Sequence, residues 1–406
     1  MASTRPPSLS AASDLDQRVI SAPSTSTTLT DTSYVISIAS LASSFAAAAS
    51  APDNRIHLFD KSNLRPLRTF QGHATSITSM RAVDAQRLIS SGKDGRVVVW
   101  DDRKPDGVGA QFSAGRSLLC CDVSPDATAI AAGSDLEGED AVIFYWDTRQ
   151  NSVPIRTHSS THSDDVTVVR FHPTQNSSDP RLLLSASSDG LLSISNVDED
   201  DEDEAVLHVA NWGCSIAQAG WIPSRNGRNG PSVWASSDME TFSTWSNELD
   251  SLHSTDIREP AIHGAKRTWV TDYLVGCVPA SGDCGDEMSL GIYLGSNEGD
   301  VALTTCNTQS PDWTLRRLWT HGHAGVVRSV LYDDERHVLL TGGEDGKLCL
   351  WPDTQAGYGM DIDSSNSRGT PQRKRELEHE VRLSNDAMDI SDPSEGMQQG
   401  KRARWQ

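Results

Sequence analysis

The sequence predicts an all-β fold built from a repeated unit of short strands. Residues 31–352 form a succession of short apolar runs separated by turn residues. This stretch lacks the sustained 3.6-residue period of long helices. It also carries recurring Gly-His pairs and many Trp residues, 11 in the chain against 6 Tyr and 7 Phe. Recurring signals of this kind indicate an array of structural repeats.

The repeat is clear in three copies and weaker in four. The clear copies span Gly72 to Asp101, Thr161 to Asn196 and Gly322 to Trp351. The weaker copies end at Asp60, Asp147 and Ser246 or centre on Gly299. Seven units between residues 34 and 351 average about 45 residues, the length expected for one four-stranded propeller blade.

The Gly-His to Trp-Asp units resemble WD repeats, which implies a seven-bladed β-propeller. A closer resemblance, to the WD-repeat-containing protein 89 family, covers most of the chain. It rests on THSDDVTVVRFHP at 161–173, LLSASSDGLLSISN at 183–196, an acidic run, TDYLVG at 271–276 and the copy at 322–351. In WD propellers an N-terminal strand usually completes the last blade, and the candidate lies within residues 17–30. The resemblance implies a scaffold and a nuclear address rather than an activity.

Three segments are predicted. Residues 1–30 are expected to be a disordered segment, part of which closes the ring. Residues 31–352 are the propeller, and residues 353–406 are a disordered tail. Both ends are poor in large apolar residues and bury too little surface to offset chain entropy. The N-terminus lacks the apolar run of a secretory signal, and residues 36–51 are short for a membrane span, so no membrane association is predicted.

Charge and composition exclude several functional classes. The chain has 35 Lys and Arg against 56 Asp and Glu, a formal charge of −21. Direct nucleic-acid binding is therefore disfavoured, while a basic protein partner is favoured. Seven cysteines without a Cys-x-x-Cys pair indicate a reducing compartment and no zinc ribbon. No phosphate loop, dinucleotide fingerprint or metal-ligand cluster occurs, so we predict no cofactor, no metal, no small-molecule substrate and no enzymatic activity.

Two repeated sets of polar residues suggest a structural network. They are His73, Ser90, Asp94 and Trp100, and His323, Thr341, Asp345 and Trp351. Ser, His and Asp could form a hydrolase triad. In both sets, however, the hydroxyl residue lies four positions before the Asp and the Trp six after it. A catalytic triad would not repeat in this way, and the WD resemblance implies one buried hydrogen-bonded chain per blade.

Candidate partner-binding residues fall into three groups, one of which is the acidic run at 198–204. Lys93, Ser188 and Glu344 each precede a turn aspartate and are expected on the rim of the top face. Arg103 and Arg149 end Trp-Asp-x-Arg sequences that resemble the box of WD-repeat substrate receptors in cullin-RING ubiquitin ligases. A guanidinium fork there could bind acidic or carbonyl groups of an adaptor. Alternatively, each Arg simply pairs with a nearby acid.

Three further features of the sequence bear on function. Seven consecutive acids follow the fourth blade's third strand: Asp198, Glu199, Asp200, Asp201, Glu202, Asp203 and Glu204. We expect a solvated loop, serving either as a docking site for a basic partner or as a solubilising insertion. Four Trp residues of the fifth blade are expected in the core, with an aromatic cage as the alternative: Trp212, Trp221, Trp234 and Trp245. The basic clusters at 373–375 and 401–404 suggest nuclear targeting.

The sequence thus predicts a non-enzymatic WD-repeat scaffold for protein–protein interactions. One alternative is a substrate receptor of a cullin-RING ligase, which would depend on Arg103 and Arg149. Another is an acidic escort of a basic nuclear protein, which would depend on residues 198–204. The predicted location is the nucleus, and a cytoplasmic pool stays open.

Overall fold

The computed structural model describes residues 9–12, 15–29, 32–150, 153–173, 180–222, 232–259, 261–263, 268–279, 289–307 and 312–352. Within these ranges, seven antiparallel sheets follow one another around a ring. The prediction of an all-β, seven-bladed propeller is confirmed. Residues 353–406, including both basic clusters, lie outside the described residues.

The N-terminal residues contain a short 3-10 helix, Leu15–Arg18, and three strands: β1 (Leu9–Ala11), β2 (Val19–Ile20) and β3 (Thr25–Thr28). Blade one consists of β4 (Val35–Ser40), β5 (Ser44–Ala49), β6 (Ile56–Asp60) and β7 (Pro66–Phe70). Blade two consists of β8 (Ile77–Ala82), β9 (Arg87–Gly92), β10 (Arg96–Asp101) and β11 (Val108–Ser113). Blade three consists of β12 (Leu118–Val123), β13 (Ala129–Ser134), β14 (Ile143–Asp147) and β15 (Arg156–His158).

Blade four consists of β16 (Val166–Phe171), β17 (Leu182–Ser187), β18 (Leu191–Asn196) and β19 (Val206–Asn211), with helix α1 (Glu202–Ala205) before its last strand. Blade five consists of β20 (Ile216–Ile222), β21 (Ser232–Ser237), β22 (Thr241–Trp245) and β23 (Ser251–Asp256). A small hairpin follows, β24 (Ile262–His263) and β25 (Thr268–Trp269). Blade six consists of β26 (Tyr273–Pro279), β27 (Ser289–Gly295), β28 (Val301–Asn307) and β29 (Trp313–Trp319). Blade seven consists of β30 (Val327–Asp333), β31 (Val338–Gly343) and β32 (Lys347–Pro352), completed by β3.

Strands a to d denote the first to fourth strand of each blade, from the centre outwards. The a strands of neighbouring blades lie against one another around the axis. The b–c turns and the d–a connections meet on one face, which we call the top face. The a–b and c–d connections form the bottom face.

Polar contacts link neighbouring blades near the axis. Ser37 of blade one donates its hydroxyl to the carbonyl of Met80 in blade two at 3.0 Å. Thr167 of blade four does the same to Ile216 of blade five at 2.6 Å. Because such bonds satisfy polar groups within the packed blade interfaces, they fix each blade against the next.

The ring closes through the N-terminal residues. Strand β3 pairs antiparallel with β32, Thr25 opposite Leu350. Strands β1 and β2 add in parallel to the outer edge of blade six, along β29. More of the first thirty residues is therefore ordered than composition predicts. Leu15 and Ile20, two of the few large apolar residues in this segment, are buried against the sheet. The backbone of the segment forms hydrogen bonds with strands about 300 residues later in the chain.

Strand a of every blade has an irregular register near its start, where one residue is inserted as a β-bulge. The inserted residues are Ile36, Thr78, Leu119, Thr167, Ala217, Val275 and Arg328. Bulges redirect side chains at strand ends. Here they set one residue of each blade at the level of the top face.

Candidate protein-binding faces

The polar set of blade two forms a continuous buried network. The imidazole of His73 contacts the Asp94 carboxylate through Nδ1 at 3.0 Å and the Ser90 hydroxyl through Nε2 at 2.8 Å. The indole N–H of Trp100 donates to the same hydroxyl at 2.8 Å. The network joins a d–a connection, strand b, a b–c turn and strand c. The polar groups of these four residues bond to one another and so hold the b–c turn in place.

Blade seven repeats this arrangement. His323 contacts Asp345 at 3.0 Å and Thr341 at 2.7 Å, and Trp351 donates to Thr341 at 2.8 Å. Burial alone would raise the pKa of Asp345, but hydrogen bonds from His323 and from the backbone N–H of Ala324 lower it to about 2. The carboxylate therefore stays charged at neutral pH and keeps the turn anchored.

The repeat glycines are explained by the same geometry. A Cβ placed on Gly72 would lie 2.7 Å from the ring of Trp100, and one on Gly322 would lie 2.3 Å from that of Trp351. Such distances are far below normal contact. The Gly of each Gly-His pair thus provides the space that the Trp ring occupies.

Other blades complete the network only in part. In blade four His162 contacts Ser185 at 2.8 Å and Asp189 at 3.4 Å, while Ser195 takes the position of the Trp. In blades three and five the Trp is present, but its indole N–H has no hydrogen-bond partner among the described residues; these are Trp146 and Trp245. Blades two and seven are therefore the most strongly anchored.

The predicted rim residues occupy equivalent places on the top face. The backbone N–H groups of Lys93, Ser188 and Glu344 donate to the carbonyl one residue before strand a of the same blade, at 2.9, 3.0 and 2.8 Å. Lys93 is exposed. Glu344 accepts a bond from the guanidinium Nε of Arg328, the bulge residue of blade seven, at 2.8 Å. Sequence reasoning missed Arg328 because a bulge leaves no mark in the residue pattern.

The top face carries a group of acids around blades three and four. Its charged groups there, besides the network Asp189, are Asp135, Glu137, Glu139, Asp140, Asp164, Asp165 and one cation, Arg116. Arg116 lies 3.5 Å from Glu137. The carboxylate of Asp165 accepts the backbone N–H of Leu136 at 2.7 Å and so joins the two connections. In the sequence, the acids at 135–140 lie about 25 residues before Asp164 and Asp165. The fold brings the two groups together on the top face.

On the bottom face, each predicted ligase-box arginine is paired with its own aspartate. Arg103 contacts Asp101 through Nε and Nη2 at 2.8 and 2.6 Å, and Arg149 contacts Asp147 at 3.0 and 2.9 Å. These hydrogen bonds lower the pKa of both carboxyl groups to about 2. The guanidinium groups nevertheless stay outside, with side chains 62% and 74% exposed.

The acidic run is the c–d connection of blade four, and it is more ordered than the solvated loop expected because part of it bonds to the connection that follows blade three. Residues 202–205 form helix α1, and Asp201 caps it by accepting the N–H of Asp203 at 3.0 Å. The Glu202 carboxylate accepts three consecutive backbone N–H groups, from Ser159, Ser160 and Thr161, all at 2.9 Å. These donors offset the repulsion between the acids.

Two arginines complete the junction. Arg156 of β15 donates to the carbonyl groups of Val197 and Glu199 and contacts Asp200 at 3.0 Å. Arg181 contacts Asp198 through Nε at 2.7 Å. Three members of the run, Glu199, Asp200 and Glu202, thus hold blade four to its neighbour, and Asp203 and Glu204 face solvent.

The tryptophans of blade five pack in its interior, as the core interpretation predicts. Trp221, Trp234 and Trp245 are buried, and Trp212 meets Trp245 edge to face with ring centroids 6.2 Å apart. The indole N–H of Trp221 donates to the carbonyl of Arg170 in blade four at 3.0 Å. Such packed and bonded rings leave no open aromatic cage at these residues.

Three observations on the described residues concern metal ligands, thiols and membrane spans. Within them no group of three or more His, Cys, Asp or Glu side chains is placed to hold a metal ion. Burial raises the pKa of the Cys120 and Cys121 thiols to about 12. Among the same residues, no helix has the length and apolar character needed to cross a bilayer.

Comparison with known proteins agrees with this architecture. The family model "WD domain, G-beta repeat" matches residues 64–101 and 314–352. The chain is 27% identical over 312 residues to an uncharacterized WD repeat-containing protein of Saccharomyces cerevisiae, covering 75% of each chain. It is 29% identical over 337 residues to the WD repeat-containing protein GTS1 of Arabidopsis thaliana, covering 78% of this chain and 81% of that protein.

The crystal structure of Saccharomyces cerevisiae Sqt1 superimposes with a TM-score of 0.60 at 15% identity, covering 82% of this chain and 99% of that one. That likeness concerns the fold alone. A further relative is the WD repeat-containing protein 89 homolog of Dictyostelium discoideum, 27% identical over 326 residues, or 79% of this chain and 83% of that protein. The chain carries WD40 repeats in a seven-bladed β-propeller, and over most of its length it is similar to WD repeat-containing protein 89 homolog.

Proposed function

We propose that this protein is a non-catalytic scaffold whose acidic top face binds a Lys- and Arg-rich segment of a protein partner. WD-repeat propellers are generally protein-interaction scaffolds. The observation that carries the finer proposal is the charge of the top face around blades three and four, where six carboxylates accompany one guanidinium. Such a surface attracts a basic segment, because its carboxylates outnumber the single guanidinium group that would repel it.

The geometry of the face suits binding. The connections that carry the acids are held by backbone hydrogen bonds between Glu137 and Asp140 and by the bond from Leu136 to Asp165, so little conformational freedom is lost when a partner docks. Glu139 and Asp238, on the b–c turns of blades three and five, are exposed and belong to neither the networks nor an ion pair among the described residues. They can be replaced without disturbing the fold.

The test is affinity capture of the tagged full-length protein from its own cells. The Glu139→Lys/Asp238→Lys variant should lose basic partners. The matched control, Glu248→Lys/Glu335→Lys, makes the same charge change on exposed bottom-face residues and should keep them. Equal recovery by both variants would contradict top-face binding.

A second candidate is the cullin-RING receptor role. Two equally placed guanidinium groups on neighbouring blades, both largely exposed, favour it. Their Nη1 groups take no part in the bonds to aspartate and could donate to an adaptor. If Arg103→Ala/Arg149→Ala leaves recovery of a cullin adaptor unchanged, or if no adaptor is recovered, this candidate fails.

The proposed location is the nucleus, supported by the basic clusters at 373–375 and 401–404 and by the family resemblance. A tagged full-length protein should concentrate in the nucleus and lose this preference when both clusters are replaced by Ser. Confinement of the intact protein to the cytoplasm would contradict the proposal.

A further inference from the structure

The outer edge of blade four differs from the outer edges of the other blades. Strand β19 ends its sheet, as do β7, β11, β15 and β23, and among the described residues no strand lies beyond it. It is also the one described strand that carries two exposed large apolar side chains, Leu207 at 46% and Val209 at 53%. An exposed apolar edge is a template for pairing with another chain.

The free backbone groups of this strand can be identified from its register. Trp212 donates to the carbonyl of Gly190, and Ala210 and His208 lie opposite Leu192 and Ile194 of β18. Hydrogen-bonded residues alternate along an antiparallel strand. The N–H and C=O groups of Val209 and Asn211 therefore point away from β18, toward solvent.

Ordinary protection of an edge is missing here. The outer strand of blade one, β7, carries Pro66 and Arg68, residue types that discourage strand addition. The outer strand of blade six, β29, is covered by the chain's own β1 and β2. That covering shows that an outer strand of this ring has room for one more. Strand β19, with the sequence Val-Leu-His-Val-Ala-Asn, has neither protection.

The charge beside the strand indicates what would pair with it. Asp203 and Glu204 are exposed, precede β19 directly and have no ionic partner among the described residues. An incoming strand would meet apolar side chains along its length and carboxylates at one end. Lys or Arg flanking a short run of alternating apolar residues fits both features.

We propose that the free edge of β19 binds an extended segment of a protein partner by β-strand addition, the segment having alternating apolar residues flanked by Lys or Arg. Main-chain hydrogen bonds to Val209 and Asn211 supply the pairing, and Leu207 and Val209 supply the apolar contacts. This surface lies on the circumference of the ring and is separate from the top face. It extends the scaffold role without depending on top-face binding.

The test uses the full-length protein and a defined probe, the capped peptide Lys-Lys-Val-Thr-Val-Thr-Val-Lys. Amide hydrogen exchange is measured at residue resolution. In the free protein the amides of Val209 and Asn211 should exchange rapidly, and those of His208 and Ala210 slowly. At saturating peptide, exchange at Val209 and Asn211 should slow at least fivefold. A peptide with Pro in place of its central Val should give no protection.

Two variants and a control make the test specific. Val209→Pro removes an N–H that points to solvent. Val209→Lys retains that N–H but adds a positive charge that repels the lysines of the peptide. If one variant misfolds, the other still tests the proposal. Each should weaken peptide binding at least tenfold, measured by fluorescence anisotropy. Leu67→Lys, which replaces an exposed apolar residue on β7, should not. Glu139→Lys/Asp238→Lys should also leave peptide binding intact, which separates this proposal from the top-face one.

Three results would overturn the proposal. One is the absence of protection at Val209 and Asn211. Another is equal peptide binding by the variants and the wild type. The third is protection of these amides in the free full chain that disappears when the chain is cut after residue 352, since the protein's own tail would then occupy the edge.

Discussion

Glu202 binds Thr161 twice: one carboxylate oxygen accepts the backbone N–H at 2.9 Å and the hydroxyl at 2.7 Å. Both contacts cross from blade four to the connection that follows blade three. An acid in the middle of a seven-residue acidic run thus anchors the connection that carries His162 and the top-face acids Asp164 and Asp165. The run has a structural role in addition to any effect on solubility.

Loss of this anchor should destabilise the propeller. Glu202→Ala leaves three backbone N–H groups without their acceptor and is expected to lower the free energy of unfolding by ~1–2 kcal/mol. Urea denaturation measures the change. Glu204→Ala, which removes an exposed acid from the same helix, should change stability by less than about 0.5 kcal/mol. Equal effects of the two substitutions would mean that Glu202 has no special role.

The buried network of blade two gives a second prediction. Asp94→Ala leaves Nδ1 of His73 and the N–H of Ala74 without their partner. We expect a loss of ~2–4 kcal/mol, because the cost of unpaired buried groups adds to the loss of the turn. The melting temperature should fall clearly, whereas Asp102→Ala on the bottom face should melt close to the wild type. An unchanged melting temperature for Asp94→Ala would refute the structural role.

Asp345 should make stability depend on pH in the acid range. Its pKa in the folded protein is lowered to about 2, below its ordinary value of 3.8. A depressed carboxyl pKa stabilises the folded state above the unfolded-state value, and this contribution is lost as the pH falls through the folded-state value. The difference in unfolding free energy between wild type and Asp345→Asn should therefore shrink between about pH 5 and pH 2. A difference that stays constant over this range would contradict the lowered pKa.

Buried thiols should resist alkylation. Cys120, Cys121 and Cys349 are buried, and burial raises the pKa of each thiol to about 12, so the reactive thiolate is scarce at neutral pH. In native protein treated with iodoacetamide at pH 7.5, peptide mass spectrometry should find these three unmodified. The half-buried Cys214 should react first among these four, and urea should make all of them reactive. Rapid native labelling of Cys121 would contradict the packing of strand β12.

Local sequence motifs predict a blade well when the blade carries the complete His, Ser or Thr, Asp and Trp network. Asp94 and Trp100 mark a b–c turn and strand c by spacing alone, and Asp345 and Trp351 do the same. The contacts that set the blade three–four junction were beyond such reasoning. Glu202 meets residues 41 to 43 positions earlier in the chain. A run of acids has the same local pattern whether it is solvated or bonded.

The N-terminal residues show the same limit at longer range. Thr25–Thr28 has little strand character by itself, yet its partner β32 supplies the missing hydrogen bonds. The acidic top face likewise arises only when the ring places the turn at Glu139 near the connection at Asp164. Sequence spacing predicts the blades; their closure and shared faces depend on residues far apart along the chain.

The central claim, that a partner binds the top face, is tested most directly by lysine cross-linking of captured complexes. Blade two provides a matched pair of exposed lysines, Lys93 on the top face and Lys104 on the bottom face. After mild cross-linking and mass spectrometry, partner peptides should be joined to Lys93 and rarely to Lys104. Links that favour Lys104, or that divide evenly between the two, would contradict the account.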